Sequence, residues 1–522
     1  MSKQPEIHVD VAVIGGGVAA LRSAIAAAEA GARVLLLSKG RAGASGCSAA
    51  LERGIEYCAL NCAPYTPREQ ELLAEEYLHA GMGVNRRDVV EAFVQGLPEE
   101  YERLAQLALP VMGPRLTTPR LRWLGHPLKG GLIGRRGFAR NLLGALLHRA
   151  LDLGVSVLDR HQVVSLARQD GGIRGCVALD LSAGEIREVG APAVILATGG
   201  AGALFPLTTN PADVTGTGVV LAHRCGARLA NLEFYSYYPL SVGRARRIYL
   251  INPILAAGVV SDAAGEMWEV APGAASPQIN LLTRARDLCR WIEERRRDGR
   301  STPSGGVWWD GRAIPGRIYH STIPVTYARL QRVGIDLRRE RLEIAPHAHQ
   351  SIGGVEIDAQ ARSSVEGLFA AGEAAAGLHG ALRTNGSGVS SGLVLGAIAG
   401  RAAALHARAA AHDTGRRSAT AWEGDLSPNH GERPDPRRLR ALRERVRTAM
   451  GSNLVIRRVE DLHRAAHELL GVREEVEATR FDPDLPALAA LREDVRNAAE
   501  AASLMVEHSL RRRLPLGVFL PY

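Results

Sequence analysis

The first forty residues constrain the fold more than any other stretch of the chain. The stretch 9–14, apolar except for Asp10, is typical of a strand buried on both faces, and three glycines follow it. The alanine-rich stretch 18–30 has the composition of a helix, and residues 32–37 return to strand character. This order predicts a βαβ unit of a parallel sheet covered by helices.

The turn from the first strand into the helix has the spacing of a dinucleotide-binding motif. Gly15, Gly17 and Ala20 form the pattern Gly-x-Gly-x-x-Ala, in which glycines let backbone amides approach a pyrophosphate at a helix N-terminus. Where many dinucleotide folds carry an acid for the ribose, this chain has Ser38-Lys39. A tight turn without a ligand is the alternative. Two further glycine-rich segments, near 198–218 and 372–388, favour a long cofactor lying across the sheet.

Shifts in composition divide the rest of the chain. Residues 66–109 and 136–153 have helical composition, 155–197 alternate like strands, and 437–513 place leucine and alanine at helical spacing. We therefore expect an α/β protein, with a Rossmann-like dinucleotide-binding domain, an inserted α+β capping domain and a C-terminal helical bundle. The predicted divisions are 1–231 and 346–410 for the two parts of the dinucleotide-binding domain, 232–345 for the capping domain, 411–436 for a linker and 437–522 for the helical domain.

Composition excludes several classes of protein. The net charge of +9 comes from arginines spread along 522 residues rather than from one basic stripe, so nucleic-acid binding is not expected. The six cysteines contain no C-x-x-C pair, which favours free thiols over a disulfide framework or a metal site. We expect no apolar run long and uncharged enough to span a membrane. No secretory signal precedes the first strand, so we expect a cytoplasmic protein.

Several motifs in a fixed order resemble those of the flavoprotein subunits of fumarate reductase and succinate dehydrogenase and of L-aspartate oxidase. They are the opening fingerprint followed by Ser-Lys, the ATGGAG, TTNP and TGTG segments near 198–218, NLEFYSYYP at 231–239, the GID and HxxxGG segments at 334–354, and GLFAAGE and GLHGALR at 367–383. The resemblance covers nearly the whole chain. It implies an FAD-dependent oxidoreductase.

The resemblance also implies where FAD binds. In the bacterial respiratory members a histidine that is bonded to the flavin aligns with Gly46 of this chain, so FAD is expected to be non-covalent here. The implied cofactor-binding residues are Gly15, Gly17, Ala20, Ser38, Lys39 and Ser45 toward the ADP half, Gly199 and Gly200 in the second glycine segment, Glu373 toward the ribityl or ribose region, and Ser387 and Val389 near the flavin pyrimidine.

His349 and Arg383 match the carboxylate-binding pair of the family. A guanidinium fork binds a carboxylate through two hydrogen bonds, and a histidine can add a third. A purely structural histidine is the alternative for His349. His379 also matches the family, and we assign it to support of the flavin region.

The family passes a hydride between flavin and a substrate carbon, while an arginine of the capping domain moves the proton on the opposite face. Arg286, followed by Asp287, is the best match to this arginine. Arg284 is the competing assignment, and a solvated arginine-rich helix face is the alternative to both.

The departures from the family concern the other end of the substrate. The family's histidine and threonine that bind a second carboxylate are replaced by Tyr238 and Leu240, and the segment that carries its proton-relaying glutamate reads NPILAAG at 252–258. A buried carboxylate without partners costs several kcal/mol, roughly, so succinate and fumarate are not the expected substrates. Tyr238 is either a donor or acid–base group that replaces the histidine, or a tyrosine that packs against the pocket.

Two functions remain open at this point. The first is an oxidoreductase that adds or removes hydrogen across a C–C or C–N bond next to a carboxylate, on an organic or amino acid whose second end is less acidic than that of succinate. The second is a flavoprotein subunit of an electron-transfer complex without dicarboxylate activity. Either needs an external electron acceptor or a partner redox subunit.

Overall fold

The protein is described from a computed structural model. The described residues are 7–50, 58–62, 65–107, 131–134, 138–245, 248–250, 252–268, 277–384, 386–413, 431–451, 453–512, 515 and 520–521.

Helices and strands alternate through the first half of the described chain, and long helices end it. The helices are α1 (Val18–Glu29), α2 (Gly46–Ala50), α3 (Pro67–Ala80), α4 (Arg87–Gln106), α5 (Phe138–Asp152), α6 (Thr217–Arg224), α7 (Asn252–Ala257), α8 (Pro277–Arg297), α9 (Gly316–Thr322), α10 (Pro324–Arg332), α11 (Ser387–Asp413), α12 (Pro436–Gly451), α13 (Val459–Glu477) and α14 (Pro486–Arg511). The strands are β1 (Ile7–His8), β2 (Val11–Ile14), β3 (Val34–Ser38), β4 (Cys58–Cys62), β5 (Gly131–Gly134), β6 (Ser156–Asp159), β7 (His161–Gln169), β8 (Gly172–Asp180), β9 (Ile186–Gly190), β10 (Ala193–Leu196), β11 (Leu229–Ala230), β12 (Tyr235–Ser241), β13 (Val259–Ser261), β14 (Val307–Asp310), β15 (Leu342–Ser351), β16 (Gly354–Glu356), β17 (Leu368–Ala370), β18 (Ala375–Ala376), β19 (Ile456–Arg457) and β20 (Leu520–Pro521).

A five-stranded parallel sheet in the order β17-β10-β2-β3-β6 forms the centre of the fold. The strands β2, β3 and β10 are buried at every position, as their continuous apolar sequences predict. Parallel pairing brings the carboxyl ends of four strands to one edge, where β2 ends beside β3 and β10, and β10 beside β17. The glycine-rich segments of the sequence follow these ends. The predicted βαβ unit is therefore confirmed, and its turn lies at this edge of the sheet. We call this edge, where the carboxyl ends of β2, β3, β10 and β17 meet, the cofactor edge.

The long helix α11 packs along α1, and small residues make this possible. A Cβ at Gly400 would lie 2.2 Å from the Ser23 carbonyl oxygen, and one at Gly396 would lie 2.8 Å from that of Ala19. The expectation that no segment is apolar enough to span a membrane was wrong, since Ser387–Ala410 has the necessary length and a mean hydropathy of 1.4. Its most apolar window is 72% buried inside the fold, because the helix is apolar where it packs against α1.

Two smaller sheets flank the centre. One has the order β1-β9-β8-β7, so the predicted strand character of 155–197 is confirmed by the strands β6 to β10. The other joins β11, β16 and β18. Residues 66–107 form two helices rather than one, because the chain turns between Ala80 and Arg87 and the Asn85 side chain donates to the Tyr77 carbonyl oxygen at 2.8 Å.

The second body of the fold is a sheet in the order β12-β15-β14-β13 with the helices α8, α9 and α10 around it. The strand β15 crosses the predicted boundary at 345/346. Its outer edge pairs with β14 through Ile344, and then with the segment after β10, where the Ala348 amide donates to the Leu207 carbonyl at 2.9 Å. Pro346 lies between these two partners, and its nitrogen needs no acceptor on this edge because it carries no hydrogen.

The C-terminal helices α12, α13 and α14 pack on one another and share a core with β12 and with the segment after β10. Glu233 connects these parts, because its carboxylate pairs with Arg512 and lies 3.6 Å from His508. The predicted helical bundle is therefore confirmed as three helices within the described chain.

Candidate active site

The turn between β2 and α1 has the geometry of a phosphate-binding turn. Gly15 has φ +138°, and a Cβ there would lie 2.2 Å from the Ala197 carbonyl oxygen, so this position requires glycine. Gly17 has φ −89° and precedes α1 without a side-chain cap. Ala20 is completely buried against Gly15. Backbone amides at the start of α1 therefore face the cofactor edge with the positive end of the helix dipole.

The residues expected beside the ADP half differ in what they contact. Ser38 is buried, and its hydroxyl lies 2.4 Å from the place of a Cβ on Gly16, so it packs directly beneath the turn. Lys39 instead pairs with Asp494 of α14 at 2.5 Å. The Ser45 hydroxyl donates to the Arg41 carbonyl at 2.9 Å and so shapes its own loop.

Three segments meet around Glu373, after the ends of β10, β15 and β17. A Cβ on Gly200 would lie 2.2 Å from Glu373 Oε1, and the Ser351 amide donates to the same oxygen at 2.9 Å. Gly199 precedes this contact with φ +78°. Burial raises the pKa of Glu373 to about 7, against the opposing effects of the Ser351 amide and Arg383. Glu373 is thus partly ionised near neutral pH.

The short helix α2, which begins at Gly46, lies near this meeting point. The Cys47 thiol has its pKa raised by burial and by the charges of Glu373 and Asp213. Gly46 has φ +75°, and a Cβ there would meet no atom within 4 Å. A larger side chain at Gly46 would therefore have open space, although the backbone favours glycine.

Buried polar atoms test whether a cofactor fits here. The Thr198 hydroxyl, the Thr384 hydroxyl and His379 Nδ1 are buried and have no hydrogen-bond partner among the described residues. They extend from the end of β10 to the start of α11. A polar ligand that runs along this edge would satisfy them, because buried polar groups are almost always hydrogen-bonded. FAD, with its phosphates, ribityl hydroxyls and flavin carbonyls, fits this set.

The start of α11 supplies the flavin end of the site. The Ser387 hydroxyl donates to the Thr384 carbonyl at 2.7 Å and accepts from Arg383 Nε at 3.2 Å. Val389 packs into the core of the central sheet. Ser387 therefore orients Arg383 with its side chain, while the first amides of α11 face the cofactor edge.

Arg383 is the centre of a group of side chains that we call the Arg383 cluster, comprising Arg383, His349, His379, Tyr238 and Tyr249. Burial lowers the pKa of Arg383, but a guanidinium keeps its charge at all physiological pH values. No described carboxylate forms an ion pair with it; Glu373 acts on it only through longer-range electrostatics. The cluster therefore holds a positive charge without a directly paired anion.

The two histidines of the cluster are neutral at pH 7. Burial, and then the Arg383 charge, lower the pKa of His349 to about 3 and that of His379 to about 3. The His379 ring stacks on Tyr77 with centroids 6.4 Å apart. His379 thus has a packing partner on one side and an unpartnered nitrogen on the other.

The segment that follows β10 forms hydrogen bonds with the ring and the backbone of His349. The Thr209 hydroxyl lies 3.0 Å from His349 Nδ1, and Asn210 donates from Nδ2 both to that hydroxyl at 3.1 Å and to the His349 carbonyl at 2.8 Å. The sequence analysis missed both residues, although the TTNP segment that contains them was part of the resemblance.

Tyr238 belongs to the cluster because of the pairing between β12 and β15. It lies opposite His347, and its ring centroid is 6.3 Å from that of His349 and 4.9 Å from that of Tyr249. Leu240, two residues on, faces the same side and packs into the core of the second body. The sequence analysis missed Tyr249, which no motif marks.

Arg286 lies on α8, near Tyr237 of β12. Its guanidinium pairs with Asp287 at 2.8 Å. Burial raises the pKa of Tyr237, and the Arg286 charge is one of the weaker effects that oppose this rise. The Tyr237 side chain points away from that of Tyr238. The side chain of Arg284 lies outside the described part of the structure. The structure therefore brings His349, Arg383 and Tyr238 together, and it places Arg286 beside the neighbouring tyrosine.

No group of three or more metal-ligating side chains occurs among the described residues. Of the cysteines whose side chains are described, Cys47, Cys176, Cys225 and Cys289 are free thiols.

Comparison with known proteins agrees with this geometry. Residues 10–389 match the FAD binding domain family. The chain is 32% identical to the L-aspartate oxidase of Mycobacterium tuberculosis over 506 residues, which cover 94% of this chain and 90% of that protein. It is 27% identical to one subunit of the fumarate reductase (CoM/CoB) of Methanothermobacter marburgensis over 522 residues, which cover 97% and 92%.

Solved structures share the fold. The flavoprotein of E. coli quinol fumarate reductase matches with a TM-score of 0.85 at 24% identity, over 99% of this chain and 92% of that chain. The chain thus belongs to the FAD binding domain family, together with fumarate reductase flavoproteins and L-aspartate oxidases, and it is an FAD-dependent oxidoreductase.

Proposed function

We propose that the protein transfers a hydride between flavin and a carboxylate-bearing organic or amino acid, across a C–C or C–N bond next to the carboxylate. The observation that carries this proposal is Arg383, a deeply placed guanidinium with no carboxylate paired to it in the described structure. A fork of donors in that position is suited to a substrate carboxylate. FAD, when bound, supplies the acceptor or the donor of the hydride.

His349 binds the same carboxylate as a neutral donor. A carboxylate only accepts hydrogen bonds, so a neutral imidazole must present an N–H to it. The Thr209 hydroxyl accepts from Asn210, and its own proton points to His349 Nδ1 at 3.0 Å in preference to the Ala348 carbonyl at 3.4 Å. Nδ1 is then the acceptor and Nε2 carries the proton that faces the substrate.

We assign the proton transfer to Arg286, with Arg284 as the alternative. Both lie on α8, whose Cys289 contacts the strand that carries Tyr238. Arg286→Gln should lower kcat and leave flavin spectra and ligand binding nearly unchanged, because the arginine would act only on the reacting proton. If Arg284→Gln has this effect and Arg286→Gln does not, the assignment moves to Arg284.

We propose further that FAD is non-covalent, because Gly46 offers no side chain to bond it, and that the protein is cytoplasmic. An external acceptor or a partner redox subunit would complete each turnover. The name of the methanogen relative supports a partner, since that protein is described as a subunit.

Anaerobic flavin reduction by a panel of carboxylic and amino acids tests the proposal. An oxidoreductase of this kind loses flavin absorbance with at least one compound of the panel, and Arg383→Lys weakens that response. The second candidate, an electron-transfer subunit without activity on these acids, is favoured by the replaced histidine and threonine at Tyr238 and Leu240. A flavin that responds only to a redox partner would establish it and overturn the proposal.

A further inference from the structure

The Arg383 cluster contains two tyrosines whose role the carboxylate-binding pair does not explain. Tyr238 is 5% exposed, and its buried hydroxyl interacts with the hydroxyl of Tyr249 but has no well-aligned hydrogen bond to a described residue. Tyr249 packs on it at a centroid distance of 4.9 Å and at an angle of 38°. Both phenols interact electrostatically with Arg383 and with each other. Two phenols therefore border the position that Arg383 prepares for a carboxylate.

Of the two phenol hydroxyls, that of Tyr238 says more about the ligand. A buried phenol that served only for packing would be replaced without loss by phenylalanine, whereas an unpartnered buried hydroxyl costs stability. The β12–β15 ladder fixes its position beside His349. The hydroxyl is thus held beside the carboxylate site, next to the Tyr249 phenol and with hydrogen-bonding capacity left for a ligand.

The charges of the Arg383 cluster limit how many carboxylates a ligand can carry. Arg383 is the only cation among the five residues of the cluster, because burial keeps both histidines neutral at pH 7 through a lowered pKa. Glu373 contributes partial negative charge nearby. A single carboxylate is therefore balanced by Arg383, and a second one would be desolvated against neutral donors only.

We propose that Tyr238 and Tyr249 bind an uncharged hydrogen-bonding group of the substrate, so that the substrate is a monocarboxylate with a second, neutral polar end such as an amide or a hydroxyl. This inference rests on the proposed function and narrows its substrate class. Arg383 and His349 bind the carboxylate, and the two phenols select against a second charge. Each phenol can both donate to and accept from a neutral group, whereas a carboxylate can only accept and would need a second cation to balance its charge.

Ligand binding to the FAD-loaded enzyme tests this without turnover. Saturated dicarboxylates of three to six carbons, their half-amides and the unsubstituted monocarboxylates are compared by calorimetry and by the change in flavin absorbance. We expect the best half-amide to bind at least about tenfold more tightly than its dicarboxylate and than its plain monocarboxylate, roughly the value of one hydrogen bond to a buried partner.

Phenylalanine variants locate the effect. Tyr238→Phe and Tyr249→Phe should each remove most of the advantage of the half-amide over the plain monocarboxylate, while the plain monocarboxylate binds as before. Tyr65→Phe, at a surface tyrosine that is 53% exposed, is the matched control and should change nothing. Flavin content and melting temperature show that each variant is folded.

The outcomes distinguish a wrong role for the tyrosines from a wrong function for the protein. Tighter binding of dicarboxylates, or an unchanged half-amide preference in the double phenylalanine variant, would overturn the assignment of the tyrosines alone. If no compound of the series binds in a way that Arg383→Lys weakens, the proposed function itself fails.

Discussion

Replacing Thr209 with valine tests how the protein prepares His349 for a carboxylate. Valine keeps the branching and nearly the volume of threonine, but it can neither donate nor accept a hydrogen bond. His349 Nδ1 then loses its partner at 3.0 Å, and one donor contact of Asn210 is lost as well. The proton of the imidazole can now stay on Nδ1, which turns the lone pair of Nε2 toward the substrate carboxylate.

The expected loss can be worked from these contacts. A net hydrogen bond contributes about 1 kcal/mol, and a buried polar nitrogen without a partner costs about 1–3 kcal/mol. Since each 1.4 kcal/mol is a factor of about ten, the cost of the unpartnered nitrogen predicts that the dissociation constant of a carboxylate ligand rises about 5- to 140-fold. The affinity for FAD should stay the same, because Thr209 contacts His349 and not the turn at Gly15.

Calorimetric titration of the FAD-loaded enzyme with a bound carboxylate measures this change. Thr209→Ser keeps the hydroxyl and should restore most of the affinity, whereas Thr322→Val, on α9, is the control for the same substitution elsewhere. A Thr209→Val enzyme with unchanged affinity would refute the tautomer argument. A Thr209→Ser enzyme as weak as Thr209→Val would show that the methyl group, and not the hydroxyl, is what His349 needs.

Four further predictions concern the cofactor and the substrate. Acid or heat should release free FAD from the purified yellow protein, because Gly46 cannot bond it; flavin that precipitates with the chain would contradict this. Gly17→Val should lower the FAD content of a protein that still folds, since Gly17 has an ordinary φ of −89° but borders the phosphate space; normal flavin content would refute the assignment. Arg383→Lys should weaken carboxylate binding by about tenfold or more despite the conserved charge, because an ammonium cannot form the bidentate contact of a guanidinium; calorimetric titration with the carboxylate ligand used for Thr209→Val checks it. Tyr238→His combined with Leu240→Thr should raise the affinity for succinate, and fast anaerobic reoxidation of the unaltered enzyme by fumarate would show that no such change was needed.

The cofactor edge was predictable from the sequence because its signals are local. The turn at Gly15 and Gly17 is read from neighbouring residues, and the two strands of the first βαβ unit are read from short apolar runs. Lys39 shows the limit of this approach, since its partner Asp494 is 455 residues away and nothing in the local sequence indicates the pair. The same holds for Thr209, which is 140 residues from His349.

Of the two tyrosines in the Arg383 cluster, only Tyr238 was predicted from the sequence. Tyr238 was noticed because a family motif changes there, whereas Tyr249 reaches the cluster only through the path of the chain after β12. Side chains that meet through sheet register and loop path have no spacing rule in the sequence. Their contacts can be known only when the strands have been placed.

The position of Pro346 has a consequence for how the cleft could open. At this residue β15 has left β14 and has not yet reached the segment at Leu207, so this edge of the strand has no hydrogen-bonded neighbour. Only β12, along the opposite edge, pairs with it. A two-stranded ribbon twists more easily than a wider sheet. A swing of the second body would therefore pivot near Pro346. His349 would stay with the flavin side while Tyr249 moved away, so a product of the proposed kind would release its neutral end before its carboxylate.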